Sequence, residues 1–295
     1  MNKILSQTAW ASTVRRGEKP TQSDLRDHLL AVHSLNAGFT ESCAMRCRNN
    51  DGRNTYEWLA DVIDPAAHRS LMDLACGSGP LIALCHQRHG SALDLAGVDM
   101  SADELQLLRD RLPDGAATLH HGMAQDLGAF PPGSVDVVLC HWALTLMDPV
   151  EPVLTEVNRI LARGGVFAAV VDGDMNADDL YRAVHDIIHT WVTREFPHYD
   201  EFGIGDVRIR QRSMLAPMVQ SAFADAEVSV DQDVFELQAG NDVLAREAAG
   251  FFYSSFVLSA PAHAGMLAEL EAMFAARGAS RFSMPVNRLV VRNRP

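Results

Sequence analysis

Leu71-Met72-Asp73-Leu74-Ala75-Cys76-Gly77-Ser78-Gly79-Pro80 is the stretch on which the fold of this 295-residue chain turns. Leu71, Met72 and Leu74 form the short apolar run of a buried strand, and the run breaks at the turn Gly77-Ser78-Gly79. Pro80 then opens a helix, because a missing N–H costs nothing at the first helical position. Leu81, Leu84 and Cys85 follow at helical spacing. Glycines at such a crossover remove side chains where a ligand has to touch backbone, and Asp73 places a carboxylate near the carboxyl end of the strand. The layout is that of a nucleotide-type site.

Working outward, the glycine positions narrow the ligand class. A dinucleotide fingerprint needs G-x-G-x-x-G, but the residue three beyond Gly79 is Ile82, and no P-loop lysine follows. Leu93 to Met100 reads as a second strand that delivers Asp99 to its end, with Ser101 and Glu104 as a capping box for the next helix. An acid there, about twenty residues beyond the glycine turn, can accept both hydroxyls of a ribose. Ala117 to His121 reads as a third strand followed by Gly122-Met123-Ala124. Val135 to Cys140 is a fourth strand, leaving through His141-Trp142-Ala143-Leu144, and Val166 to Val171 is a fifth that ends at Asp172.

On these residues the chain resembles the class I S-adenosylmethionine-dependent methyltransferases. Their motif D-x-G-x-G-x-G corresponds to Asp73 through Gly79, with Ala75 where the first glycine is common. The fourth strand is similar to their F-D-x-V pattern with Val135 for Phe, and Glu156, Val157, Arg159, Leu161, Gly164 and Gly165 fit E-V-x-R-x-L-x-x-G-G. Met123 stands where many members carry an acid near the adenine amino group. His-Trp-Ala-Leu replaces the N-P-P-Y used on planar amines, so the resemblance leans toward the small-molecule, ubiquinone- and menaquinone-type branch. It covers Leu71 to Asp172.

What the resemblance implies is an α/β fold with a seven-stranded Rossmann-like sheet in the order 3-2-1-4-5-7-6, strand 7 antiparallel. It implies S-adenosyl-L-methionine as cofactor. Asp73 with the backbone of Ala75, Cys76, Gly77 and Ser78 would face the methionine end and Asp99 the ribose. Met100 and Met123 would cover the adenine and Ala124 its edge, with Tyr56 and His141 adjoining. His33, Trp142 and Asp172 are the expected acceptor-binding residues. His141 is the first candidate for a general base, since imidazole titrates near neutrality, and His33 and Asp172 are the alternatives.

The flanks are read from pattern alone. Residues 1–65 show helical period and no strand alternation, so they are expected to form a helical lid ahead of a methyltransferase domain spanning 66–295. Within them, 1–20 reads as a mobile lead-in, Ser23 and Asp24 as a cap, Thr40 as the start of a short helix, and Asn54 with Glu57 as a capping box. A helical insertion is expected at about 174–213. It carries the i,i+4 pair His185 and His189, for which no third metal ligand is apparent, so no metal is assigned. Arg208, Arg210 and Arg212 alternate as if along an extended segment.

Composition limits the partners. Twenty-five Lys and Arg against 38 Asp and Glu give a formal charge of −13, poorly suited to tracking nucleic-acid phosphates. Five cysteines, an odd number set mostly in apolar runs, read as reduced thiols of a cytoplasmic protein. No apolar run reaches membrane-spanning length, and the first twelve residues read as a mature N-terminus. The expected partner is a small molecule. Two other readings share the motif layout: a cofactor-retaining protein that does not methylate, and a nicotinamide-dependent oxidoreductase.

Overall fold

The computed structural model describes residues 5–39 and 41–294. In chain order the helices before the sheet are α1 (Ala9–Arg15), α2 (Gln22–Leu35), α3 (Glu41–Arg46) and α4 (Thr55–Ala60). The parallel part alternates β1 (Ser70–Leu74), α5 (Pro80–His89), β2 (Asp94–Asp99), α6 (Ala102–Arg111), β3 (Thr118–His121), β4 (Val135–His141), α7 (Glu151–Ile160) and β5 (Leu161–Asp172). There follow α8 (Asp179–Glu195), α9 (Tyr199–Phe202), α10 (Arg212–Ala222), β6 (Glu227–Gln238), α11 (Asn241–Phe251), α12 (Ala260–Ala276) and β7 (Arg281–Arg292).

The seven strands form one sheet in the order β3-β2-β1-β4-β5-β7-β6. The pairs β1–β2, β1–β4, β2–β3 and β4–β5 are parallel, and β7 runs antiparallel to β5. The strand order reverses between β1 and β4, so their carboxyl ends open the crevice in which folds of this kind bind ligands. Period-two burial divides the sheet. Val138, Cys140, Phe167, Ala169, Val171, Leu289 and Val291 join one core cluster with Val153, Leu154 and Val157 of α7 and Leu215 and Val219 of α10. His141, Val170 and Arg288 lie side by side across β4, β5 and β7. There α4 supplies the cover: Thr55 bonds His141, and Arg288 donates to the Trp58 carbonyl at 2.7 Å with its guanidinium over the Trp58 ring.

The chain divides into two compact units. One takes residues 51–174, 205–233 and 286–295; the other takes the chain up to Asn50, 175–204 and 234–285. The boundary falls after Asn50 rather than at 65, because α4 packs on α5, β4 and β5. The expected capping box is present there, Asn54 accepting from Glu57 N–H and Glu57 from Asn54 N–H, each at 2.8 Å.

Within the other unit, the described part of the lead-in expected over residues 1–20 instead carries a 3-10 turn at Leu5–Gln7 and α1. Thr8 caps α1 and its hydroxyl meets His28 Nδ1 at 2.8 Å, while Trp10, 1% exposed, stacks on the His28 ring. The α2 cap is Thr21, in a capping box with Asp24, and not Ser23. The expectation for Thr40 lies outside the described residues. In the unit that holds residues 205–233, Arg208 and Arg210 sit in a short 3-10 turn and Arg212 starts α10, so the three do not line an extended segment; Asp206 caps that turn.

Candidate functional site at the carboxyl ends of β1, β2 and β4

Two non-glycine residues of the described chain adopt left-handed backbone, Ala75 at φ 56° and Trp142 at φ 51°. Each is the first residue past the end of a central strand, Ala75 after β1 and Trp142 after β4. Such strain costs on the order of 1–3 kcal/mol per residue and collects where surrounding structure enforces it, commonly at ligand sites. Trp142 is held by its N–H, which donates to Val170 O at 2.9 Å. Ala75→Gly relieves about 1–2 kcal/mol of left-handed cost and adds about 0.5–1 kcal/mol of unfolded-chain entropy. The expected result is a gain of up to about 1 kcal/mol, read as a higher urea midpoint at unchanged m-value; a lower midpoint would show that the turn carries no such strain.

The glycines of the turn do different work. Gly79, at φ 78°, precedes Pro80 as the residue before the first turn of α5, and a Cβ on it would lie 1.9 Å from Leu108 Cδ1. Gly77 has φ 51°, and a Cβ there would meet nothing nearer than Glu104 Oε2 at 3.9 Å. The space beside Gly77 is therefore open, bounded by backbone and by acidic side chains.

Asp99 connects the turn to β2. Its Oδ2 accepts the Gly77 N–H and its Oδ1 the Ser101 N–H, both at 2.8 Å, and its main-chain carbonyl accepts Gly122 N–H at 2.9 Å. A single residue thus aligns the glycine turn, the start of α6 and the loop after β3. Asp73, 2% exposed, is pushed well above the usual carboxylate range by burial, and the charge of Asp99 adds to the shift. The buried Cys76 thiol is pushed up in the same way, by burial and then by Asp73 and Asp99.

Asp73 has a consequence for stability. An unfolded Asp titrates near pH 4, so a group whose folded value is raised favours the folded state below that pH, and the contribution is lost as pH rises through the folded-state value. Asp73→Asn, which cannot ionise, is expected to stabilise the ligand-free protein, and by more at pH 8 than at pH 5. Urea unfolding at the two pH values checks this; a gain that shrinks with rising pH contradicts it.

The loop after β3 is clamped from α7. Arg159 donates to the carbonyls of Leu127 and Phe130 at 2.9 Å each, and Glu156, paired with Arg159 at 2.8 Å, accepts the Leu127 N–H at 3.0 Å. These are the Glu and Arg of the E-V-x-R pattern, and they hold the loop that bears the half-buried Met123 and the buried Ala124. The Met100 carbonyl contacts His121 Nε2 at 3.0 Å.

At the end of β4, the His141 ring is held on three sides. Tyr56 stacks on it at 3.9 Å between centroids and 23°, Trp142 meets it edge-on at 4.8 Å, and its Nε2 lies 2.9 Å from Thr55 Oγ1. Burial lowers its pKa to about 3, so the imidazole is neutral at physiological pH and a weak proton acceptor.

The structure thus brings Asp73 at the end of β1 and Asp99 at the end of β2 to the turn formed by Ala75, Cys76, Gly77 and Ser78, and groups Tyr56, His141 and Trp142 at the end of β4. Asp172 ends β5, where its carboxylate accepts from Arg210 Nε at 3.1 Å; burial raises its pKa and Arg210 opposes the rise. His33 belongs to the other unit, its Nε2 2.9 Å from the Tyr253 hydroxyl. Thr55 was not singled out from sequence, although the capping box at Asn54 fixes it as the first residue of α4, and Glu156 and Arg159 were matched to the family pattern without the clamping role they have here. His185 and His189 stack on one face of α8 at 5.5 Å, His189 bonded to Asp200. Among the described residues no group of three or more His, Cys, Asp or Glu is arranged to hold a metal.

The sheet order is that of a Rossmann-like, methyltransferase-type fold, and residues 72–169 match the family described as "Methyltransferase domain". The chain is 33% identical over 101 residues to a demethylmenaquinone methyltransferase of Symbiobacterium thermophilum, a match covering 33% of this chain and 40% of that relative. Three solved structures share the fold. The [4+2]-cyclase SpnF has a TM-score of 0.58 at 19% identity, over 94% of this chain and 98% of that one. A putative methyltransferase of Bacillus halodurans scores 0.56 at 12%, covering 82% and 99%. A Haemonchus contortus phosphoethanolamine N-methyltransferase, solved with S-adenosylhomocysteine, scores 0.56 at 14%, covering 92% and 60%.

The residues present fit S-adenosylmethionine. The open space beside Gly77, the fixed Asp99 carboxylate and the buried acid Asp73 provide room and acceptors for a cationic nucleoside with vicinal hydroxyls.

Proposed function

We propose that this chain is an S-adenosylmethionine-dependent methyltransferase acting on a small-molecule acceptor. The observation that carries the reading is the bond from the glycine turn to Asp99, near the point where the strand order reverses and beside the open space at Gly77, which supports Asp99 as the ribose acceptor. In this assignment Asp73 and the backbone from Ala75 to Ser78 hold the amino-acid end, Asp99 the ribose, and Met100, Met123 and Ala124 the base. Tyr56 and His141 border the reacting end, and Trp142 and Asp172 serve the acceptor.

The cofactor supplies a methyl group on a sulfonium, already an activated leaving group. What the protein adds is alignment and exclusion of water. A general base works best with a pKa near the operating pH, and the value of about 3 at His141 supports a neutral, hydrogen-bonding ring rather than a proton acceptor.

A cytoplasmic setting is part of the proposal. All five cysteines are buried free thiols, with Cys85 and Cys140 pushed up to about 12, mainly by burial. No helix among the described residues is long and apolar enough to cross a membrane. The acidic balance supports a small-molecule partner over nucleic acid.

Isothermal titration with S-adenosylhomocysteine tests the cofactor assignment: saturable binding at one site is expected, and none by folded protein would overturn it. Formation of S-adenosylhomocysteine from S-adenosylmethionine across a panel of small oxygen, nitrogen and carbon acceptors then tests the transfer. Binding without turnover would favour a cofactor-retaining protein that does not methylate, and tight nicotinamide cofactor binding would favour an oxidoreductase.

A further inference from the structure

The contacts of His141 define more than its position. Its Nε2 has one partner, the Thr55 hydroxyl at 2.9 Å. Among the described residues its Nδ1 bonds no protein atom, and it is not one of the buried polar atoms that lack a partner, so on this half-buried side chain it is the accessible nitrogen. Thr55 is 0% exposed, and the bond to His141 is the one its hydroxyl makes.

These facts decide where the ring proton sits. A neutral imidazole carries one N–H, on Nδ1 or on Nε2. If Nε2 held it, Nε2 would donate to Thr55 Oγ1, and the hydroxyl hydrogen of a fully buried residue would be left with no acceptor. A buried donor without a partner costs about 1–3 kcal/mol, and orphaned donors are rarer in folded proteins than under-used oxygen lone pairs. If the hydroxyl instead donates to Nε2, every buried donor is satisfied, and the ring N–H is the one open to the crevice. The Tyr56 stack and the Trp142 edge prevent the ring from turning to exchange its nitrogens.

The geometry points to Thr55 as a positioning residue that fixes His141 in the Nδ1–H form and presents that N–H, as a hydrogen-bond donor, to an oxygen acceptor on the small-molecule ligand bound at the end of β4. The inference deepens the proposed methyltransferase site and rests on that reading for the ligand, while the tautomer itself belongs to the protein alone. It gives the site a chemical preference. A substrate carbonyl, carboxylate or oxyanion placed against β4 meets a donor, and a protonated amine placed there meets a second donor and is disfavoured. It also assigns His141 a role that needs no proton transfer, consistent with its enclosure.

The experiment is two-bond proton–nitrogen correlation on the full chain with 15N-labelled histidine, free of ligand, at neutral pH. The His141 signal is assigned by its disappearance in His141→Gln. In wild type the expected pattern is a protonated Nδ1 and an unprotonated Nε2. Thr55→Val, nearly isosteric and unable to donate, should keep the proton on Nδ1 and move the Nε2 resonance downfield, to that of an unprotonated nitrogen accepting no hydrogen bond, and Thr55→Ser should restore the wild-type shift. If Thr55→Val fails to fold, Thr55→Ala carries the same comparison.

A wild-type ring found as Nε2–H or doubly protonated overturns the inference, as does an Nε2 shift left unchanged in the folded valine or alanine variant. S-adenosylhomocysteine titration of wild type separates the two readings. Nδ1–H with no cofactor binding removes the methyltransferase assignment and leaves the Thr55 role intact; binding with Nε2–H does the reverse.

Discussion

Gly79→Ala is expected to destabilise the protein by about 2–5 kcal/mol, a large part of the 5–15 kcal/mol that holds a typical domain folded. Two independent costs add. Gly79 sits at φ 78°, where any L side chain carries a left-handed penalty of about 1–2 kcal/mol. The new Cβ would also lie 1.9 Å from Leu108 Cδ1 and 2.8 Å from Cγ. Leu108 is fully buried on α6, so moving it means repacking the core between α5, α6 and the sheet, at about 1–3 kcal/mol. The second cost separates from the first in a double-mutant cycle. Leu108→Ala alone leaves a cavity worth about 2–5 kcal/mol, and in Gly79→Ala/Leu108→Ala the overpacking term disappears. The double variant should therefore be more stable than the sum of the singles by about 1–3 kcal/mol. Urea unfolding checks this. Additive effects would mean that the glycine is needed for its backbone alone.

The sheet was legible because its signals are local. A buried run, a glycine turn, an acid and a capping box recur within short windows from Leu71 to Asp172, and the order of strands that the family resemblance implied is the one observed. What sequence did not reveal depends on partners far along the chain. Nothing local marks residues 5–16 as ordered; Trp10 is buried because it stacks on His28, eighteen positions later. Alternation of Arg208, Arg210 and Arg212 suggested extended backbone, but Asp206 accepts the Arg208 N–H and starts a turn. The candidate site divides the same way. Asp73, Gly77 and Asp99 could be placed from the motif. The basicity of His141 could not, since it depends on enclosure by Thr55, Tyr56 and Trp142, and Thr55 reads in sequence as one more residue at a helix start.

Asp99→Asn is expected to weaken S-adenosylhomocysteine binding by a hundredfold or more while leaving the fold in place. The carboxylate uses both oxygens on backbone donors, Gly77 N–H and Ser101 N–H, each at 2.8 Å. An amide has one oxygen and two N–H donors, so in either orientation one backbone N–H faces another donor. Hydrogen bonds to a charged group contribute about 1.5–3 kcal/mol each, and about 2.7 kcal/mol already corresponds to a hundredfold in affinity. The loss falls on binding because the Gly77 turn is the part released, whereas α6 keeps its Ser101 cap, whose hydroxyl accepts Glu104 N–H at 3.3 Å. The same change removes the charge that helps hold Asp73 protonated, so the carboxyl of Asp73 should shift down toward its ordinary range. Calorimetric titration measures the affinity, and circular dichroism with urea unfolding measures the fold. An affinity within tenfold of wild type, in a protein of unchanged stability, would mean that Asp99 neither holds the turn in its binding shape nor touches the nucleoside, and the ribose assignment would fall with it.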